Sequence, residues 1–319
     1  MFSLKRVKQA LDLTKFFMIM CFAGTTAFAD IELGSEFNSI NAKYASGYFK
    51  PLFTSIGQSF NTNLFTTAKY KKEWSFGIDF SVQAMMIPSS QLTFNAPVPD
   101  TMLNKTTYIY TGSGTNTSNN RTTITQPTIY GGKATPLFSA STTETFVEGF
   151  NISNISGIPN IQFILGIPTQ TEIRFRGAGF GDLFFLGFNI NQQIDQFFKI
   201  FGKDEIQAIA VNLAYHSISY SKAFDMSSLC FGARYSRELV EGLNVYGGVL
   251  YETLSGKFEA TYKNPDDPNF KKFKIDIETF SNIRLLLGLT YRISFFEAHF
   301  DAAYASQPTI AGGISFWFF

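Results

Sequence analysis

Residues Glu73 to Ile87 read E-W-S-F-G-I-D-F-S-V-Q-A-M-M-I, and every even position is apolar: Trp74, Phe76, Ile78, Phe80, Val82, Ala84 and Met86. Ser75, Gly77, Asp79, Ser81 and Gln83 lie between them, and only Met85 breaks the pattern. Strict alternation specifies a strand with one apolar and one polar face, because successive side chains leave opposite sides of the backbone. Its length excludes most folds. Strands of soluble domains run about 5–6 residues, whereas a strand crossing a membrane at a tilt near 45° needs about 9–11. From Trp74 to Met86, at about 3.3 Å per residue, the strand reaches roughly 43 Å, which is about 30 Å of depth at that tilt. That depth matches the hydrocarbon core of a bilayer.

Composition fits the same device repeated. Charged residues make up 16% of the 319, against about 25% in average soluble proteins. Aromatic residues reach 17%, with 37 Phe and 14 Tyr but 2 Trp. Mean hydropathy is only +0.03, too low for a bundle of membrane helices. Many aromatics, strong local alternation and neutral mean hydropathy suit a barrel with a lipid face outside and a wet face inside. A net charge of +1 gives no reason to expect nucleic acid as a partner.

The first residues predict an address. Lys5, Arg6, Lys8 and Lys15 precede the apolar run Phe16–Gly24, and the segment ends in Ala27-Phe28-Ala29. This is the pattern of a secretory signal peptide at 1–29, cleaved before Asp30, and its apolar run is too short for a membrane anchor. With Cys21 removed, Cys230 would be the single remaining cysteine, so no intrachain disulfide is expected.

Residues 30–72 differ in kind. Ile40, Tyr44, Tyr48, Leu52 and Ile56 recur every four residues, with Pro51 placed to open or kink a helix. They predict one or two short amphipathic helices ending near Phe60-Asn61-Thr62-Asn63, in a periplasmic segment that plugs the barrel mouth or lies against it. A loose leader before the first strand is the other reading. From about 88 to 158 the chain is crowded with Thr, Ser, Asn and Gly, which is loop composition. Barrels of this class carry long outer loops and short periplasmic turns, so this stretch is placed outside the cell, with local hairpins such as one around Thr122–Tyr130.

Strand signals then return at Ile161–Gly166, Glu172–Gly177, Asp182–Ile190, Gln207–Ser217, Ser228–Ser236, Leu243–Thr253, Ile283–Ile293, Phe296–Tyr304 and Ile310–Phe319. After Thr253 the apolar phase flips near Ser255-Gly256 before Phe258, Ala260 and Tyr262, which suggests a β-bulge in one long strand or a tight turn. The expectation is an all-β fold: an antiparallel transmembrane barrel of about 10–14 strands over 73–319, ten if Gly256 marks a bulge. Its ending, Gly312 to Phe319, is an alternating aromatic strand closing in Phe. That ending looks like the signature by which outer-membrane barrels are recognised for insertion, so Phe319 is expected to engage the barrel-assembly machinery.

Three stretches carry a family resemblance: Tyr48–Lys72 leading into the first strand, Ile158–Arg176 (I-P-N-I-Q-F-I-L-G-I-P-T-Q-T-E-I-R-F-R), and the closing G-G-I-S-F-W-F. Together they resemble an uncharacterised family of Gram-negative outer-membrane proteins, a domain of unknown function. More distantly, the chain is similar to the long-chain fatty-acid transporter family. The Asn-Pro-Ala run typical of that family's N-terminal hatch is missing, and no functional residue carries over.

Candidate chemistry lies on the polar strand faces. With a turn at Ser294-Phe295, Arg292 should lie opposite Glu297, Thr290 opposite His299 and Gly288 opposite Asp301. Arg284, Arg292, Glu297, His299 and Asp301 then form a lumen stripe, joined by Arg174 and Arg176 beside Glu172. Such a stripe is either a polar constriction or a set of cross-strand pairs that satisfy charge inside a narrow barrel. His216 and His299 are the only imidazoles, and neither has a nucleophile placed for it, so no catalytic residue is assigned and an enzyme is not expected. No metal site and no cofactor are expected either. About ten strands enclose little more than their own side chains, which disfavours a general porin. The functional expectation is passive passage of a small hydrophobic compound through the outer membrane. The alternative is a non-transporting structural or surface-binding wall protein, with outer-membrane lipids as its main contacts.

Overall fold

The computed structural model describes residues 32–33, 42–98, 107–110, 115–118, 122–139, 142–144, 146–180, 183–198, 200–201, 206–220, 224–262 and 271–318. The expected signal peptide, most of 30–41, the link 263–270 and Phe319 lie outside the described residues.

The wall consists of β1 (Phe76–Met86), β2 (Asn154–Ile167), β3 (Thr171–Phe180), β4 (Leu183–Gln193), β5 (Gln207–Tyr220), β6 (Phe224–Val240), β7 (Leu243–Tyr262), β8 (Lys271–Ile293), β9 (Phe296–Tyr304) and β10 (Thr309–Phe318). Each pairs antiparallel with its sequence neighbour, and β10 returns to β1, so ten strands form a closed antiparallel barrel without a free edge. Closure leaves no unpaired strand edge, which a bilayer requires because it offers the backbone no other hydrogen-bond partner. Every one of the ten sequence-expected strands is present.

The barrel is inside-out relative to a soluble one. Phe80, Val82, Phe163, Phe184, Leu213, Phe231, Val249, Leu287 and Phe300 are exposed on the outer face. Asp79, Gln162, Arg174, Arg176, Asn189, His216, Arg284 and Glu297 are buried on the inner one. Two neighbouring strands are far longer than a bilayer needs: β7 has 20 residues and β8 has 23, against about 9–11 for a membrane crossing. The barrel therefore has a tall side rising past the Met86 end of β1, here the upper mouth. Tight links sit at the opposite, lower mouth, where Gly242 adopts φ +79° between β6 and β7 and Ser294-Phe295 joins β8 to β9.

The long helix α1 (Ala42–Phe60) lies within the upper half of the barrel. Tyr44, Tyr48, Phe49, Phe53, Ile56 and Phe60 are buried in one cluster with wall residues Met85, Ile218, Phe224, Met226, Leu254 and Phe258. Pro51 lies inside the helix rather than at its start. The same cluster takes in Ala96, Val98, Ile124, Ile129, Tyr130, Phe146, Val147 and Ile152 from the excursion between β1 and β2. That excursion spans 87–153, because β2 begins at Asn154. It contains a small pairing of Thr93–Pro97 with Thr123–Pro127, so the strand expected to hairpin within Thr122–Tyr130 pairs further back. It also contains a sheet of short segments between Thr107 and Glu144.

Two irregularities in the alternation now have a cause. Met85 breaks the polar face of β1 because it points inward at α1, where it is fully buried. Phe258 does not follow a phase flip: Tyr246, Leu250, Glu252, Leu254 and Phe258 all face inward along β7. Phe258 stacks against Phe49 and Phe53 of the helix, with ring centroids 5.4 and 6.0 Å away. The lumen itself changes from polar to apolar there. A register shift does occur at this level, between Leu254 and Gly256, but the extra residue belongs to β8, which advances from Ile277 to Phe280.

Helix and excursion are knit as one cap. Ile129 N–H donates to Tyr48 O at 3.0 Å, Tyr48 Oη donates to Glu148 O at 2.9 Å, and Tyr130 Oη donates to Ser55 Oγ at 2.9 Å. Burial pushes the Tyr130 hydroxyl above its usual range, and its hydrogen bond to Ser55 only partly opposes this. Gly149 is one of the tight points of the cap. A methyl group there would sit 2.3 Å from Thr128 O and 2.4 Å from Gly131 O. Backbone lies on both sides and cannot yield, so Gly149→Ala should loosen the excursion at a cost of about 1–3 kcal/mol. Limited proteolysis checks this: cleavage within 87–153 should accelerate while the barrel core stays intact.

Candidate functional site: the lumen and the segment that fills it

Beyond Phe60 the chain does not leave the barrel. Asn61, Thr62, Asn63, Leu64, Phe65, Thr66, Thr67 and Ala68 are all buried. They run down the lumen to Tyr70, whose hydroxyl donates to Ile167 O at the lower β2–β3 turn. Ser75 then leads into β1 at the lower mouth. The expectation of a periplasmic helical segment at 30–72 needs correction. Its helix occupies the same mouth as the excursion, so the two cannot lie on opposite sides of a membrane, and its remainder passes through the lumen.

The wall holds this plug mainly by its backbone. Arg176 donates to Phe60 O at 2.7 Å, Thr62 O at 2.9 Å and Asn63 O at 2.6 Å. Gln162 also reaches Asn63 O, Asn189 reaches Leu64 O, Arg284 reaches Gln58 O, and Thr290 reaches Thr66 O. Ser236 accepts from Ala68 N–H at 3.1 Å. Past the helix end the segment is irregular and supplies few internal partners for these groups, and leaving a buried carbonyl unpaired costs about 1–3 kcal/mol. The inward-facing polar side chains supply them.

Side chains complete the grip. Asn61 donates to Ser228 and to Glu252, and Asn63 donates to Asp79 and Ser81. Thr66 Oγ1 donates to Glu297 at 2.6 Å, and Lys71 forms an ion pair with the other oxygen of the same carboxylate. Lys71 also lies 5.3 Å from the ring of Trp317, the buried aromatic of β10. Arg234 stacks its guanidinium on Phe65 at 4.1 Å.

The sequence-derived stripe is real in register. Arg292 lies opposite Glu297, Thr290 opposite His299 and Gly288 opposite Asp301. Pairs between strands and the plug share its charges. Glu297 is gripped by the plug residues Lys71 and Thr66, and Arg292 beside it is half-buried. His299 Nε2 lies 2.6 Å from Asp79 Oδ2 across β10. Asp301 is buried beside the plug, lining a void of about 10 Å³ with Asn63, Phe65, Tyr246 and Arg284. Arg284 bonds Glu252 and Thr309 besides Gln58 O. Arg174 pairs with Glu172 at 2.6 Å across one face of β3, while Arg176 on the same strand carries the plug. The second void along the plug, beside Gln58, Asn61 and Glu252, is also about 10 Å³. Each has room for about one water molecule.

Sequence reasoning did not single out Asp79, Glu252, Asn189, Ser236 or Lys71. Asp79 carried the clearest signal, as the one charge on the polar face of β1. It accepts from Asn63, Gln162, Ser315 and His299 and so joins the plug to four neighbouring strands.

The model of the family of unknown function (DUF6588) matches residues 7–318. The chain belongs to this family. No curated protein matches it. Among solved structures it is similar to a loop-deletion mutant of OmpT, an outer membrane protein of Vibrio cholerae, at 8% identity and TM-score 0.27, covering 76% of this chain and 98% of that one. Ail, the attachment invasion locus protein of Yersinia pestis, shows 10% identity and TM-score 0.23 over 77% of this chain and 100% of its own. The Ralstonia pickettii toluene transporter TbuX shows 8% identity and TM-score 0.28 over 77% and 90%. This DUF6588 member is an outer-membrane-type β-barrel by its own strand order and inside-out burial.

Proposed function

We propose that this barrel is a closed wall protein of the cell outer membrane that acts through the surface at its upper mouth and not through a pore. The observation that carries this reading is the occupied lumen. Residues 58–71 fill it, and the wall's buried charges are engaged in holding them. The signal-peptide pattern and the apolar outer face support the location, with outer-membrane lipids as the contact and the assembly machinery as the partner during insertion. No hydrolytic role is proposed. Ser315 donates its hydroxyl to Asp79 and not to His299, so it lacks the link to imidazole that would make it a nucleophile.

A second reading, passive passage of a small hydrophobic compound, is favoured by one observation. The upper lumen around α1 is lined by Phe185, Tyr220, Phe224 and Phe258, and it would be an apolar chamber if the helix withdrew. The distant likeness to the long-chain fatty-acid transporter family points the same way but supplies no residue. Planar-bilayer recording of the refolded protein separates the two. A heat-modifiable barrel that gives no discrete conductance steps supports the closed wall. Discrete steps, or a lipid-like molecule retained through purification and detected by mass spectrometry, would replace it with the channel.

A further inference from the structure

The direction of the plug has a topological consequence. A barrel with an even number of strands normally leaves both flanking segments on the periplasmic side. Here the chain enters at the upper mouth, descends through the lumen as 42–71, and begins β1 at the lower mouth. Ten strands plus one lumen pass make eleven crossings. Independently, Glu32–Leu33 pairs in parallel with Thr261–Tyr262, at the upper end of the tall strand β7. We infer that Glu32–Leu33 and the start of α1 are displayed on the cell surface, beside the 87–153 excursion, and that the barrel presents its own N-terminal side outward through its lumen. The outer face is then a composite of the excursion, the start of α1 and the segment paired to β7. This rests on the reading that the excursion faces outward.

The grip suits such a role. The lumen bonds the plug at carbonyl oxygens from Gln58 to Thr66 and at the side chains of Asn61, Asn63 and Thr66, so it holds this particular segment in place along its length. Leu64 and Phe65 pack on Tyr246 and Leu250 and fix the register of that hold.

Cysteine accessibility on intact cells tests the inference. Lys43 and Lys50 of α1 and Lys133 of the excursion are exposed at the upper mouth; Glu73 and Glu241 are exposed at the lower one. Cys230 is fully buried, so the unsubstituted protein serves as the blank. Each single cysteine variant, checked for heat-modifiable mobility, is treated with a membrane-impermeant maleimide before and after permeabilising the outer membrane. Labelling of K43C, K50C and K133C on intact cells, with E73C and E241C at the blank until permeabilisation, is the expected result. If K133C labels on intact cells while K43C and K50C stay at the blank, surface display is wrong and the outward excursion survives. If E241C labels and K133C does not, the barrel is inverted, and the inference falls with the reading beneath it.

Discussion

Arg176→Ala should turn an electrically silent barrel into a leaky one. Arg176 is buried in the wall and donates to three plug carbonyls, at Phe60, Thr62 and Asn63, while also bonding Gln162. Alanine would leave those carbonyls without their donor and open a gap at the centre of the lumen. Removing one partner of a buried charged network costs about 3–5 kcal/mol. At about 1.4 kcal/mol per tenfold, that raises the share of time with the plug displaced by roughly 10²–10⁴. Lysine restores the charge but not the fork that spans several oxygens, so Arg176→Lys should recover only part of the closure. Frequent discrete openings in planar bilayers, together with increased uptake of a bulky antibiotic by cells, are the expected readouts. A variant as silent as the wild type would mean that the plug is held elsewhere.

Asp79→Ala should lower the temperature at which the folded band converts to the unfolded one more than any other single lumen substitution. Asp79 Oδ1 accepts from Asn63 at 2.8 Å and Gln162 at 3.0 Å, and Oδ2 lies 2.7 Å from Ser315 and 2.6 Å from His299. Its loss strips the plug, β2, β9 and β10 of a shared acceptor at once, and the expected destabilisation is again about 3–5 kcal/mol. Asparagine is no rescue here. It would replace one acceptor oxygen with an amide donor facing groups that already donate, so Asp79→Asn should lose nearly as much. An unchanged conversion temperature for both variants would remove Asp79 from the role of junction.

The wall was legible in the sequence because lipid imposes a period-two rule on the outer face, as at Phe80 and Val82 of β1, Leu213 and Tyr215 of β5, and Leu287 and Leu289 of β8. Even the β8–β9 register could be read, since a two-residue link at Ser294-Phe295 leaves only one alignment for Arg292, His299 and Asp301. The contents of the lumen were not legible, for a physical reason. A polar side chain facing inward has the same sequence signature whether water, a neighbouring strand or another segment satisfies it. Asn61-Thr62-Asn63 is the helix end that the sequence suggested, but its polarity also matches the side chains of Ser228, Asp79 and Ser81. Met85 and Phe258 did carry the signal. They place apolar side chains on the inward face at one level of the barrel, which makes sense only if something apolar stands inside.

The order of these parts along the chain also constrains how the protein can be made. The plug is synthesised before any of the wall, whereas the seam that seals it in joins β1 to β10, the first strand to the last. A folded barrel could not admit the plug sideways without breaking that seam, so the earliest residues must wait in place until the final strand arrives. Trp317 of that strand comes to rest beside Lys71, where the plug ends, and Gly77 of β1 lets its ring lie flat against the backbone. One contact therefore joins the last strand of the wall to the end of the plug.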